Sequence, residues 1–146
     1  MVDFTKIIAW QKAHQLTLAV YSLVKSFPEF ERHGLSSQFT RAVVSVAANI
    51  AERTQKISKS DKLRFLNISQ GSLSECRYYI ILSRDLGYIN EKEHARLTSL
   101  FDSSCYFLNK YIEGIEKNNG IKDNSLKVSI CALSDISPSS SDTIVP

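Results

Sequence analysis

Apolar residues recur at three- to four-residue spacing through four stretches of the chain, which is the pattern of amphipathic helices. The first stretch predicts a helix from about Thr5 to Phe27, and Pro28 ends it because proline cannot continue a helix. The second begins at Leu35-Ser36-Ser37, where the serine hydroxyls can accept hydrogen bonds from the first free amides. Its apolar band is wider than one helix contact requires.

The third and fourth helices have recognisable start and stop signals. Ser58 with Asp61 three residues later resembles a capping box, and the pair Leu86-Gly87 predicts the end of that helix because glycine adopts the left-handed cap conformation. Asn90 with Glu93 predicts the start of the fourth helix in the same way. Helix-breaking residues are scarce, with five Gly and three Pro in 146 residues, and this scarcity also favours helices.

Short connections between long helices bring the chain back antiparallel. The sequence therefore predicts an all-α protein, an antiparallel up-and-down four-helix bundle over residues 1–118. Beyond Gly120 the composition shifts to Ser, Asp and Asn, so residues 119–146 are expected to form a disordered Ser-rich C-terminal tail. The alternative is that Val128 to Ile136 docks as a short strand or partner peptide.

Positive charge is unevenly distributed along the chain, although the net charge is only +3. Between Arg32 and Arg84 there are nine Lys or Arg and three acids. This asymmetry indicates a surface for an anionic partner, and the alternative is a basic surface that merely keeps the protein in solution.

Cysteine usage and hydropathy indicate a cytoplasmic protein. Cys76, Cys105 and Cys131 are an odd number at wide spacing, which assembles neither a disulfide framework nor a CxxC motif. The first thirty residues lack the apolar core and cleavage site of a signal peptide, and the longest charge-free apolar stretch, residues 42–51, is too short to cross a bilayer. We expect no membrane segment, and we expect Cys76 and Cys105 to be small buried hydrophobes.

Nothing in the sequence assembles a catalytic apparatus, a metal site or a cofactor site. A di-metal bundle needs two Glu-x-x-His motifs, whereas only Glu91-Lys92-Glu93-His94 is present, at an exposed helix start. The histidines His14, His33 and His94 lie on separate segments without a supporting motif, and there is no Gly-rich phosphate loop. We therefore predict a protein that is not an enzyme.

A cluster of cations surrounds the predicted turn between the second and third helices. We call it the basic turn, and it consists of Arg53, Lys56, Lys59, Lys62 and Arg64. With Arg41, these residues are the candidate contacts for the phosphates of a nucleic acid, whose binding would weaken as salt rises because counterions are released. The alternative is a solvated loop without a ligand.

Helix two also carries a second, polar face, formed by Arg41, Ser45, Asn49, Glu52 and Lys56. Asn and Ser are poor helix formers, and Gly71 inside helix three costs about 1 kcal/mol relative to Ala. Ser45, Asn49, Glu52 and Gly71 are therefore candidate interface residues, for a contact with another subunit of an oligomer or with another helix, the alternative being an ordinary solvated face.

Several motifs in register resemble one protein family over about Phe4 to Lys117. They are Trp10-Gln11-Lys12-Ala13, Phe27-Pro28, Leu35-Ser36-Ser37-Gln38-Phe39-Thr40-Arg41-Ala42, Ser45, Asn49-Ile50-Ala51-Glu52, Arg64-Phe65-Leu66 and Gly71-Ser72-Leu73-Ser74-Glu75. This arrangement resembles the bacterial four-helix bundle proteins encoded in intervening sequences of 23S ribosomal RNA genes. The chain departs from the family pattern at Arg53, where the family usually has Gly.

The resemblance implies a function as well as a fold. The family is similar in fold to the accessory variability protein of diversity-generating retroelements, a basic homopentameric ring that binds nucleic acid and a reverse transcriptase. The resemblance therefore implies a homopentamer, and the family has no established enzymatic activity. We expect an oligomeric accessory protein that binds RNA or DNA, with RNA preferred; the alternatives are an adaptor that recruits a partner such as a reverse transcriptase, and an enzyme with an unfamiliar site.

Overall fold

The computed structural model describes residues 1–117, and these residues form an all-α up-and-down bundle, as the periodicity predicts. The four helices are α1 Ile8–Leu23, α2 Leu35–Arg53, α3 Lys59–Asp85 and α4 Glu91–Lys117, with 3-10 turns at Phe4–Lys6, Val24–Ser26 and Glu29–Glu31. The tail predicted for residues 119–146 and the alternative for Val128 to Ile136 lie outside the described residues.

Each helix packs against its neighbours in chain order, and α4 closes the bundle against α1. Because neighbouring helices are antiparallel, the start of α1, the end of α2, the start of α3 and the end of α4 lie together at one end of the molecule. We call this the basic end, since it carries the basic turn. The loops that join α1 to α2 and α3 to α4 lie at the opposite end.

The core is apolar and contributed by all four helices. Its largest fully buried side chains are those of Phe39, Phe101, Leu16, Ile50, Leu66, Leu73, Leu97 and Leu108. Each such side chain stabilises the fold by about 1.5–3 kcal/mol relative to an exposed position. Cys76 and Cys105 lie in this core, which confirms that they act as small buried hydrophobes.

The helix boundaries of α3 and α4 are confirmed in detail. The Ser58 hydroxyl accepts a hydrogen bond from the amide of Asp61 at 3.1 Å. Asn90 and Glu93 form a reciprocal capping box, with both side chain to backbone bonds at 2.8 Å. After α3, Gly87 adopts a φ of 75°, the left-handed conformation that glycine tolerates without a Cβ clash.

Two details of the first half of the chain differ from the prediction. The first helix is interrupted after Leu23, since a 3-10 turn replaces its last turn before Phe27. The start of α2 is not capped by its serines: the Glu31 carboxylate accepts from the amide of Leu35 at 2.8 Å instead. A cap from the preceding 3-10 turn satisfies the free amide that the serine hydroxyls were expected to satisfy.

Candidate functional site

The basic end brings the basic turn together with the last turn of α4, which lies more than fifty residues away along the chain. Local sequence is responsible for the turn itself, because the Ser58 cap starts α3 immediately after the connection. The antiparallel topology is responsible for the arrival of α4. As a result, some of the predicted cations contact α4 rather than solvent.

Arg53 is half-buried and contacts Tyr111 of α4. Its guanidinium lies 4.7 Å from the centre of the Tyr111 ring, and its Nη1 donates a hydrogen bond to the Tyr111 hydroxyl. Its Nε is buried and has no hydrogen-bond partner within residues 1–117. Burial raises the pKa of Tyr111, and the charge of Arg53 opposes that shift. Arg53 thus links the end of α2 to α4.

Lys56 makes two contacts inside the basic turn. Its Nζ lies 3.3 Å from the Glu52 carboxylate one helical turn earlier, and 4.6 Å from the centre of the Phe65 ring. Both contacts are partly exposed, and exposed ion pairs of this kind contribute about 0–1 kcal/mol. The ammonium group of Lys56 can therefore move to a bound anion at little cost.

Lys59 lies at the first position of α3 and reaches across to α4. Its Nζ donates a hydrogen bond to the backbone carbonyl of Glu116 at 3.2 Å. The carbonyls at a helix end carry partial negative charge and lack intrahelical partners, so a cation there is favourable. Lys59 is therefore committed in part to holding the end of α4.

Lys62 and Arg64 are the cations of the basic turn that are least engaged. Lys62 is half-buried and makes no hydrogen bond or ion pair with residues 1–117. Arg64 is exposed, and its guanidinium lies 5.1 Å from the centre of the Phe65 ring without an ion pair in the same part of the chain. Among the predicted phosphate contacts at this end, these two have the most freedom to bind an anion.

Arg41 lies apart from the basic turn. It is exposed on α2, twelve residues before Arg53, which places the two about 18 Å apart along the helix axis. The sequence prediction grouped Arg41 with the basic turn as phosphate contacts. The structure does not bring them into one cluster, so a ligand that contacts both must span this distance along α2.

The predicted polar face of α2 lies along the seam with α3. The Ser72 hydroxyl donates to the Ser45 hydroxyl at 2.8 Å, and the Asn49 amide donates to the Ser45 carbonyl at 2.7 Å. Both Ser45 and Asn49 are half-buried, whereas Glu52 is exposed. Contacts within one chain therefore already account for the serine and asparagine at these positions.

Gly71 has no such explanation among the described residues. It is exposed on α3, and a Cβ atom built there meets nothing within 4 Å in this part of the chain. No other helix of residues 1–117 therefore approaches Gly71 closely. The same side of α3 also exposes Ile68, Tyr78 and Ile81, which are 43%, 58% and 43% accessible.

Cys76 and the metal-ligating side chains of residues 1–117 are not arranged for nucleophilic or metal-dependent chemistry. Burial, assisted by the charge of Glu75, raises the pKa of Cys76 to about 12, so its thiol is a poor nucleophile at neutral pH. Within residues 1–117, no group of three or more His, Cys, Asp or Glu side chains is placed to hold a metal ion. None of the helices in that range is long and apolar enough to cross a membrane.

Two partners of the site were absent from the sequence prediction. Tyr111 and Glu116 are ordinary residues of an amphipathic helix, and only the antiparallel return of α4 places them beside Arg53 and Lys59. In the sequence, Phe65 stands out only as part of the motif Arg64-Phe65-Leu66. Its half-burial and its two neighbouring cations are visible only in the folded chain.

Taken together, the fold and the site define a four-helix bundle with a basic turn at one end. Residues 5–110 match the 23S rRNA-intervening sequence protein family. Since that match covers most of the chain, the protein belongs to this family.

One solved structure supports the fold independently. It is the 1.70 Å crystal structure of a protein with unknown function from the S23 ribosomal protein family of Bacteroides thetaiotaomicron VPI-5482. It is 21% identical to the chain with a TM-score of 0.66, and the similarity covers 73% of this chain and 96% of the other. Similarity at this identity establishes a common fold and nothing about a ligand. No curated protein matches the chain.

Proposed function

We propose that the protein is a non-enzymatic, oligomeric accessory protein that binds nucleic acid, RNA in preference to DNA, through the basic turn. The observation that carries this proposal is the pair Lys62 and Arg64, which have no ion-pair partner within residues 1–117 and lie beside the easily released Lys56. Lysine and arginine without a carboxylate partner are the groups that neutralise phosphates.

Oligomerisation strengthens such a site. Two or three cations on one chain bind a nucleic-acid backbone weakly, whereas several copies on one assembly bind it together and raise the overall affinity. The exposed side of α3 around Gly71 supports an interface between subunits, since an exposed glycine inside a helix is costly and no contact with residues 1–117 explains it. The pentamer implied by the resemblance is the assembly that we propose.

The exposed apolar residues of α3 also favour a second candidate function. Ile68, Tyr78 and Ile81 can contact a different protein instead of another subunit, in which case the protein is an adaptor that recruits a partner such as a reverse transcriptase. In this case the positive charge steers the partner's approach and is not a phosphate-binding site.

Retention of RNA on the purified protein across a salt series tests the proposed function. We expect binding that weakens steeply as salt rises, with little dependence on sequence, because the driving force is counterion release. The double variant Lys62→Glu, Arg64→Glu should reduce retention at least tenfold and flatten the salt dependence. Salt-insensitive binding, or none, would contradict the proposal.

A matched control uses the opposite end of the bundle. Lys25→Glu with Lys92→Glu changes the net charge by the same amount at exposed positions far from the basic turn. Retention should then fall by no more than about twofold, through the weaker overall field alone. Equal losses in both double variants would show that net charge, and not the basic turn, governs binding.

A further inference from the structure

Phe65 is an aromatic residue in an unusual position. It lies in the second turn of α3, it is half-buried, and it is not among the partly buried side chains that pack against the core. Instead, Lys56 and Arg64 place their charged groups over its ring, at 4.6 Å and 5.1 Å from the ring centre. The ring thus belongs to the basic turn and not to the core of the bundle.

We propose that Phe65 stacks on an unpaired nucleobase, so that the basic turn is a site for single-stranded nucleic acid. This inference rests on the proposed function and specifies its ligand. A base presents a flat π-face of the kind that aromatic side chains bind in single-strand sites, and such stacking is tolerant of sequence. Cations around the ring then contact the phosphates on either side of the stacked base.

The contacts that Lys56 and Arg64 make with the Phe65 ring do not prevent a base from stacking on it. Stacking of a base on an aromatic ring is a stronger contact than a cation–π contact at an exposed site. Lys56 can leave the ring because its other contact is an exposed ion pair with Glu52, and its ammonium group gains a phosphate in return. Arg64 can also leave the ring for a phosphate, because it is exposed and makes no ion pair with residues 1–117.

The same geometry disfavours a duplex as the ligand. Bases inside a duplex are stacked on one another and paired, so a ring on a helix surface cannot reach their faces. A duplex would contact the lysine and arginine groups alone and would leave the Phe65 ring without a role. If the affinity for a nucleic acid depends on the Phe65 ring, that ligand is therefore single-stranded.

The test measures the affinity of the full chain for three probes: a short oligouridine, a duplex with strands of the same length, and polyphosphate with the same number of phosphates. Phe65→Leu keeps an apolar side chain and should lower the affinity for oligouridine about tenfold. Its affinity for polyphosphate should stay within about twofold, because that probe has no bases.

Phe107→Leu is the matched control. Phe107 is also half-buried with a lysine over its ring, Lys12 at 5.7 Å, but it packs against the core between α1 and α4. This variant should leave the affinity for all three probes unchanged. The thermal unfolding midpoint of both variants, read by circular dichroism, separates a binding defect from a folding defect.

A second measurement detects stacking directly. In a Trp10→Phe background, which removes the one native tryptophan, Phe65→Trp places a fluorophore at the site. Oligouridine should quench its fluorescence and polyphosphate should not. Equal losses of affinity for oligouridine and polyphosphate in Phe65→Leu, or absent quenching despite binding, would overturn the stacking role. Absence of binding to all three probes by the unmodified protein would overturn the proposed function itself.

Discussion

Two glycines show how differently one residue type acts in this bundle. A Cβ atom at Gly34 would lie 2.6 Å from the Glu31 Oε2 that caps α2, whereas one at Gly71 meets nothing within 4 Å among the described residues. We expect Gly34→Ala to lower the free energy of unfolding by about 1 kcal/mol through the displaced cap. Gly71→Ala should raise it by about 0.5–1 kcal/mol because alanine favours the helix.

Urea unfolding of both variants checks this pair, and each serves as the control for the other. If Gly71 lies at a subunit interface, Gly71→Ala should also weaken the assembly while it stabilises the isolated bundle. A destabilised monomer in Gly71→Ala would contradict the open space seen at that position.

The buried thiol of Cys76 should make the stability of the folded protein sensitive to alkaline pH. Burial and the charge of Glu75 raise the pKa of its thiol from 9.0 to about 12 in the folded state. Below about pH 9 the thiol is neutral in both states, and above it only the unfolded chain ionises. The free energy of unfolding should therefore fall as pH rises from about 9 towards 12, and the raised pKa values of Tyr79, Tyr88 and Tyr111 act in the same direction.

Alkylation of Cys76 provides a direct measurement. In a Cys131→Ser variant, which leaves Cys76 and Cys105 as the remaining cysteines, iodoacetamide at pH 8 should react far more slowly with the folded protein than with the urea-unfolded one. The raised pKa leaves very little thiolate on Cys76 in the folded protein at that pH. Fast labelling at neutral pH without unfolding would contradict this expectation.

At the scale of elements, Arg53 joins α2 to α4 at the basic end. Tyr111→Phe removes the hydroxyl that accepts from Arg53 and should lower the free energy of unfolding by about 1 kcal/mol. Arg53→Gly removes the ring contact as well and weakens the last turn of α2. We expect a loss of about 2 kcal/mol from that change.

Chemical denaturation measures both losses. Tyr106→Phe is the control, since Tyr106 is an exposed tyrosine on the same helix. It should change stability by less than about 0.5 kcal/mol. An equal effect of Tyr106→Phe and Tyr111→Phe would show that the contact between Arg53 and Tyr111 contributes nothing to stability.

For the whole molecule, the proposed assembly of several chains can be tested by a substitution on the exposed side of α3. Tyr78→Glu places a charge among Ile68, Ile81 and Gly71, and burying that charge in a subunit interface is costly. We expect the variant to have the mass of a single chain in light scattering while its helix content and unfolding midpoint stay unchanged. Leu18→Glu on the exposed side of α1 should keep the mass of the assembly.

The mass of the unmodified protein in light scattering is the most direct test of the proposed ring. A mass equal to one chain at all concentrations would exclude the proposed ring. A large mass that survives Tyr78→Glu would place the interface elsewhere on the bundle, and the single-stranded site at Phe65 would be unaffected by that outcome.

The fold class, the number of helices and the starts of α3 and α4 could all be predicted from the amino-acid sequence. These features depend on local spacing and on short-range hydrogen bonds, such as those of Ser58 with Asp61 and Asn90 with Glu93, which are present in the sequence before any packing. The burial of Cys76 was predictable for the same reason, since helical periodicity assigns it to the core face.

Which cations remain available to a ligand followed only from the packing of the helices. Arg53 and Lys59 contact α4, because helix packing and not sequence distance determines which side chains meet. The distance of about 18 Å between Arg41 and Arg53, in contrast, already follows from the rise of a single helix. The capping of α2 by Glu31 could not be predicted from the sequence for a similar reason, since it depends on the path of a 3-10 turn. Phe65 completes the site only once α2 and α3 meet, when the folded turn places Lys56 and Arg64 over its ring.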